Sequence, residues 1–173
     1  MFVLVQSFDD SVLQWFVALR TDALTTVMMV VSALGEWYVL LPATAIISFI
    51  LWRRGLVLQA AGLAYAVVGT SIAVTLLKMV TARPRPPEAL RLVAESGYSF
   101  PSWHAAAAIA FWGYLAYMAT KRIQNPIVRI CIALLCLLII LATDFSRLYL
   151  GVHYFSDVAF GTLLGGLILL FSL

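Results

Sequence analysis

The sequence predicts an all-α fold, a polytopic membrane helical bundle of about six transmembrane helices with an N-terminal interfacial helix. Of its 173 residues 64% are apolar and only 11% are charged, and the mean hydropathy of +1.02 lies well outside the range of a soluble globular domain. The apolar residues fall into runs bounded by charge or by Gly and Pro. A hydrocarbon core of about 30 Å takes roughly 20 residues per helix, so the chain accommodates about six spans and little else. Residues 1–173 therefore read as one membrane domain.

Taken in order, Val3 to Arg20 sets Phe2, Phe8, Leu13, Trp15 and Phe16 beside Asp9, Asp10, Gln14 and Arg20, a mixture that suits a helix lying in the interface over residues 1–20. Asp9 and Asp10, with no basic segment ahead of an apolar core, argue against a cleaved signal peptide. Ala23 to Leu34 and Trp37 to Leu51 are short runs joined near Gly35 and Glu36, which leaves the count at five or six. Leu56 to Leu77, Ser102 to Thr120, Ile127 to Thr143 and Val152 to Leu173 complete the spans. Ala105 to Ala108 make the fourth run thin, and Gly161 and Gly165 form a small-x3-small pair in the last; both predict close helix packing. Cys131 and Cys136, five residues apart, point to different helix faces and read as reduced packing residues.

Arg53 and Arg54 in one tight connection, and Lys121, Arg122 and Arg129 around another, mark the cytoplasmic side. Six spans then leave both termini cytoplasmic and send Met79 to Phe100 and Asp144 to Gly151 to the opposite face. The formal charge of +3 is no nucleic-acid signal, because the basic residues sit at span ends and in one loop. Trp37, Trp52, Tyr98, Tyr149 and Tyr154 read as interface residues, with Tyr149 and Tyr154 placed to touch a substrate headgroup.

Three polar islands share the extracytoplasmic face: Lys78 to Pro86, Pro101 to His104 and Ser146 to Asp157. They hold both histidines of the chain. Arg83, Arg85 and Arg91 lie on the side where basic residues are scarce, which a local anion such as phosphate explains. A phosphoryl-transfer transition state spreads negative charge over three equatorial oxygens and needs several fixed donors; Lys78, Arg83, Arg85 and Arg147 are such donors. Ser102 after Pro101 opens a helix whose free N–H groups face the same anion. His153 has Asp157 one helical turn along, which suits an imidazole nucleophile with a held far nitrogen. His104 is then free to protonate the leaving oxygen and to activate water. Glu36, Glu88, Glu95 and Asp144 are scattered, with no His or Cys at ligand spacing, so neither a metal nor another cofactor is expected.

The pattern Lys-x6-Arg-Pro, Pro-Ser-x-His, Ser-Arg-x5-His-x3-Asp resembles the three-part signature of the type 2 phosphatidic acid phosphatase superfamily. It is met by Lys78, Arg85 and Pro86, by Pro101, Ser102 and His104, and by Ser146, Arg147, His153 and Asp157, all within residues 78–157. The resemblance implies a phosphohistidine on His153 oriented by Asp157, with His104 as general acid. It implies that Lys78, Arg85, Ser102, Arg147 and the backbone N–H of Trp103 bind the phosphate oxygens. Trp103 departs from the pattern, which usually has Gly there, and its ring packs on a lipid chain or narrows the pocket. Arg83, outside the usual spacing, is left as a supporting or headgroup residue. The implied substrate is a membrane lipid phosphate: undecaprenyl diphosphate, phosphatidylglycerol phosphate, phosphatidic acid or lipid A phosphate, with undecaprenyl diphosphate or broad specificity favoured. The implied location is a bacterial inner membrane. A phosphotransferase using the same intermediate, and a transporter or scaffold with a relic site, are the alternatives; the oligomeric state is left open.

Overall fold

Helix caps legible in the chain set where it turns. Thr21 Oγ1 accepts from Leu24 N at 3.3 Å and opens α2 (Asp22–Ala33), while Asn125 Oδ1 accepts from Ile127 N and Val128 N at 3.0 and 3.3 Å and opens α7 (Pro126–Tyr149) with Pro126 in the first turn. Gly55, at φ +75°, makes the turn between α3 (Trp37–Arg53) and α4 (Val57–Ala64), a left-handed conformation that costs glycine nothing.

The computed structural model describes residues 2–173, with side chains from Val5 onward; those of Phe2 and Val3, named in the expected interfacial stretch, lie outside the described residues. All regular structure described is helical. Besides α2, α3, α4 and α7 it comprises α1 (Phe2–Ala18), α5 (Thr70–Thr81), α6 (Trp103–Arg122) and α8 (Phe155–Ser172). A π-helical turn (Tyr65–Gly69) joins α4 to α5 without a break, and one 3-10 turn (Glu88–Leu90) interrupts the long loop before α6.

Among the described residues four stretches are long and apolar enough to cross a membrane: Asp22–Arg53, Val57–Thr81, Pro126–Tyr149 and Phe155–Ser172. The two short runs expected near the N-terminus thus form one apolar stretch of 32 residues, broken between α2 and α3. The helix α6 falls outside this group by composition, because Trp103, His104, Trp112, Tyr114 and Tyr117 lower its hydropathy. It packs against α7, α8, α5, α3 and α4, and Ala105, Ala106, Ala107, Ala108 and Ala110 are all fully buried, so protein rather than lipid surrounds it. Lipid tails are as apolar as these side chains, so close van der Waals fit holds such helices together. The glycines of α8 supply it: a Cβ on Gly161 would lie 2.6 Å from Ser102 O, and one on Gly165 would overlap Ala106 O.

The beginnings of α3, α6 and α8 and the ends of α5 and α7 meet at one end of this bundle. There α1 and α2 pack across the last turns of α7, with Phe16, Met28, Leu148 and Tyr149 in one buried cluster.

Candidate active site

His153 lies in the short connection between α7 and α8 and is only 2% exposed. The first turn of α8 aims Asp157 back at it. Asp157 Oδ2 accepts from Tyr154 N at 2.9 Å and from Ser99 Oγ, and lies 3.5 Å from His153 Nδ1. Ser99 Oγ is itself 3.4 Å from that nitrogen. A carboxylate and a hydroxyl on Nδ1 favour the tautomer with its proton there, which leaves the Nε2 lone pair pointing the other way. On that side Arg85 Nη1 approaches Nε2 at 3.2 Å. Burial first, and then the charges of Arg147, Arg85 and Lys78, hold the His153 imidazole well below its ordinary pKa, so the ring is neutral at pH 7.

Nε2 faces a cavity of about 340 Å³ whose walls include Lys78, Arg85, Glu95, Trp103, His104 and Glu36. Lys78, at the end of α5, donates to Tyr98 O and, at 3.3 Å, to Ser99 O. Arg85 donates to Val152 O at 2.9 Å and to Ser96 O at 3.0 Å. Arg147, in the last turn of α7, is 1% exposed; its Nη1 donates to Ser32 Oγ at 2.5 Å, its Nη2 pairs with Glu95, and its Nε has no hydrogen-bond partner among the described residues. Glu95 also lies 3.4 Å from Arg85 Nη2. A carboxylate therefore sits between two guanidinium groups, where an anion of similar geometry would be held.

His104 opens α6 on the opposite wall. Its Nε2 is 3.1 Å from Glu36 Oε1, close enough for an ion pair but off the line of a hydrogen bond. Glu36 and Glu95, scattered in sequence, are brought with His104 so that one ligand atom of each lies within 4.8 Å of the others. This corrects the expectation that no histidine accompanies them. The neighbouring charges of Arg85 and Arg147 nevertheless make the surroundings of Glu95 suited to an anion and unfavourable to a dication.

Several expected contacts are placed elsewhere. Tyr149 is fully buried, and its hydroxyl lies 3.0 Å from Thr21 N and 3.1 Å from Thr25 Oγ1, so it clamps α7 to α2 instead of touching a headgroup. Tyr154 lies under Arg83, whose guanidinium carbon is 4.4 Å from the ring centroid. Arg83 itself is engaged by Asp9 at 2.7 Å and Asp157 at 2.6 Å, turned behind the dyad instead of into the cavity. Ser102 is fully buried as the cap of α6, with its Oγ 3.5 Å from Ala105 N, and its own N–H donates to Asp157 O at 3.0 Å. The Trp103 ring lines the cavity, donates to Ser71 Oγ at 3.2 Å and stands edge-on to His104.

Asp9, Glu36, Glu95 and Ser99 are the polar partners that spacing did not reveal. Only Glu36 carried a signal, as an acid between two apolar runs; Asp9 read as one polar residue of a mixed interfacial stretch.

The model of the PAP2 superfamily matches residues 59–173. Phosphatidylglycerophosphatase B of Bacillus subtilis (strain 168) is 33% identical over 180 positions, which cover 98% of this chain and 82% of that protein. The crystal structure of a transmembrane PAP2-type phosphatidylglycerolphosphate phosphatase from Bacillus subtilis superposes with a TM-score of 0.89 at 29% identity, covering 98% of this chain and 84% of that one. That of Aquifex aeolicus LpxE gives 0.76 at 25% identity, covering 94% and 92%.

Proposed function

The chain belongs to the PAP2 superfamily, in its bacterial membrane lipid phosphatase branch, and on that footing we propose that it hydrolyses a lipid phosphate through a phosphohistidine on His153 at the extracytoplasmic face. The observation that carries the reading is the two-sided setting of His153: Nδ1 against Asp157 and Ser99, Nε2 open to a cavity shared with Lys78, Arg85 and His104.

In the first half-reaction the phosphate displaces Glu95 from Arg85 and Arg147, and Lys78 and the N–H groups opening α6 complete the cage. The Nε2 lone pair forms a bond to phosphorus while the bond from phosphorus to the lipid oxygen breaks, its electron pair leaving with that oxygen. His104 gives the oxygen a proton. The ring becomes positive, with Nδ1–H held by Asp157. In the second half, water attacks phosphorus, His104 takes its proton, and the P–N bond breaks to free orthophosphate and restore neutral His153. All charge compensation in this scheme comes from side chains and backbone, so chelators leave it intact.

Likeness to a phosphatidylglycerophosphatase over nearly the whole chain supports a glycerophospholipid monoester, phosphatidylglycerol phosphate, as the first substrate to test, ahead of undecaprenyl diphosphate. Trp37, 61% exposed, and Trp103 both line the cavity and mark the side from which a lipid tail leaves it. Because α2 packs on the last turns of α7 while α3 continues on to Arg53, residues 22–53 cross once, α1 and α2 lie near the site's surface, and the bundle makes five crossings. The ends opposite the site carry Arg53, Arg54, Lys121 and Arg122, which supports an extracytoplasmic site.

The test is orthophosphate release in detergent with EDTA present, for wild type and His153→Ala, from phosphatidylglycerol phosphate, phosphatidic acid and undecaprenyl diphosphate. Release that vanishes in the variant is the expected result. Full release by His153→Ala sinks the covalent mechanism.

A further inference from the structure

The N-terminal helix delivers a buried carboxylate to the back of the His153–Asp157 pair, and the chemistry above makes no use of it. Asp9 is 0% exposed. Its Oδ1 accepts from Ser156 N at 2.9 Å, and its Oδ2 from Ser156 Oγ at 2.5 Å and Arg83 Nη2 at 2.7 Å. Arg83 Nη1 donates in turn to Asp157 Oδ1 at 2.6 Å and to Ser156 Oγ at 2.7 Å. One guanidinium therefore joins two buried carboxylates, one from α1 and one beside the reacting ring. Burying a charge is costly unless its partners are well placed, and a helix that only rested on a lipid surface would gain nothing from it.

We propose that Asp9 and Arg83 are positioning residues for phosphoryl transfer at His153: Arg83 fixes the aim of Asp157, and Asp9 keeps the group of three negatively charged toward the imidazole. The inference rests on the reading of His153 as nucleophile. Asp9 and Asp157 contribute two negative charges and Arg83 one positive, leaving a net charge of minus one behind a ring that turns positive on phosphorylation. Without Asp9 the remaining pair is neutral and opposes that positive charge less. Without Arg83 two negative charges remain, and Asp157 loses the bond to Oδ1. The other groups facing His153 or its cavity are Arg147 from α7, Lys78 from α5, His104 from α6, Glu36 from the turn before α3, and Arg85, Glu95 and Ser99 from the long loop.

The chain holds two histidines, so ¹⁵N-histidine labelling of the full chain in detergent, purified through a histidine-free tag, gives two pairs of ring-nitrogen signals that His104→Gln assigns. Asp9→Asn removes the charge and keeps one acceptor oxygen for Ser156 N, while its amide NH2 replaces the oxygen that accepts from Ser156 Oγ and Arg83. It is expected to lower the His153 titration midpoint and Arg83→Gln to raise it, each by about one pH unit. The double variant D9N/R83Q returns the midpoint close to wild type. A shift of that size in the positive ring corresponds to a fall in kcat of about tenfold for Asp9→Asn, with KM nearly unchanged. Ser156→Ala, which removes the two hydrogen bonds of the hydroxyl and no charge, lowers the melting temperature and leaves the midpoint in place. Wild-type kcat in Asp9→Asn, or identical titrations for Arg83→Gln and D9N/R83Q, overturns the proposal and leaves Asp9 a strut; this second comparison holds even if Asp9→Asn alone folds poorly. His153→Ala runs alongside. If it is active the nucleophile reading falls, whereas if it is inactive and Asp9→Asn behaves as wild type, the Asp9 inference alone falls.

Discussion

Glu95 lies between Arg85 and Arg147, where the proposed reaction places phosphate, so Glu95→Gln is the substitution that tests the anion site directly. The charge is removed, but an oxygen remains to accept from Arg147 and to hold the loop. At 3.4 Å the Arg85–Glu95 attraction is about 5 kcal/mol at an effective dielectric of 20. Most of this is offset when the displaced carboxylate regains water, so the net obstacle to phosphate is about 1.5 kcal/mol, the worth of one charge-assisted hydrogen bond. Removing it should tighten competitive inhibition by orthophosphate about tenfold. The assay is the inhibition constant for orthophosphate, with the dephosphorylated lipid quantified by chromatography so that added phosphate does not interfere. An inhibition constant within about twofold of wild type, in a variant that melts normally, would refute the idea that Glu95 stands where the phosphoryl group binds.

Two further outcomes follow from packing and protonation. Gly165→Val should lower the melting temperature by roughly 3 to 10 °C, because its Cβ meets Ala106 O and Ile109 Cγ2 and overpacking costs about 1 to 3 kcal/mol, while Gly166→Val, facing only the flexible end of Ile109, should change little. Since the folded state holds the pKa of His153 below the ordinary 6.5, the unfolded chain binds the proton first as pH falls; stability is therefore lost below about pH 6.5, down to the folded-state value, by up to about 1.4 kcal/mol per unit. Melting curves from pH 7 to 5 should show that slope for wild type, and His153→Asn should lose it; an equal slope in both places the titration elsewhere.

What was legible in the chain follows a physical division. Helices announce themselves through apolar runs, caps and glycines, and the small residues of α6 and α8 foretold their close packing because lipid offers no alternative driving force. The motif residues were legible because they lie at fixed spacing within residues 78–157. Their partners were not. Glu95 and Ser99 reach the site only because the loop from Ala82 to Ser102 folds over it, and no periodicity governs such a loop. Tyr149 was misplaced because an aromatic at a span end looks the same in sequence whether it meets lipid or, as here, a second helix.

The family model begins at residue 59, yet Asp9, Ser32 and Glu36 each bind one of the motif residues or its direct partner: Asp9 through Arg83 to Asp157, Ser32 to Arg147, and Glu36 to His104. A motif fixes which atoms meet the phosphoryl group, whereas the charge state and aim of those atoms depend on neighbours contributed by whatever segment packs against them. In this chain that segment is α1, α2 and the start of α3, which touch the site from three directions while leaving the cavity between Trp37 and Trp103 accessible. Differences in rate and substrate preference among proteins that share the same three motifs are therefore expected to track substitutions at the positions of Asp9, Ser32 and Glu36 as much as those inside the motifs.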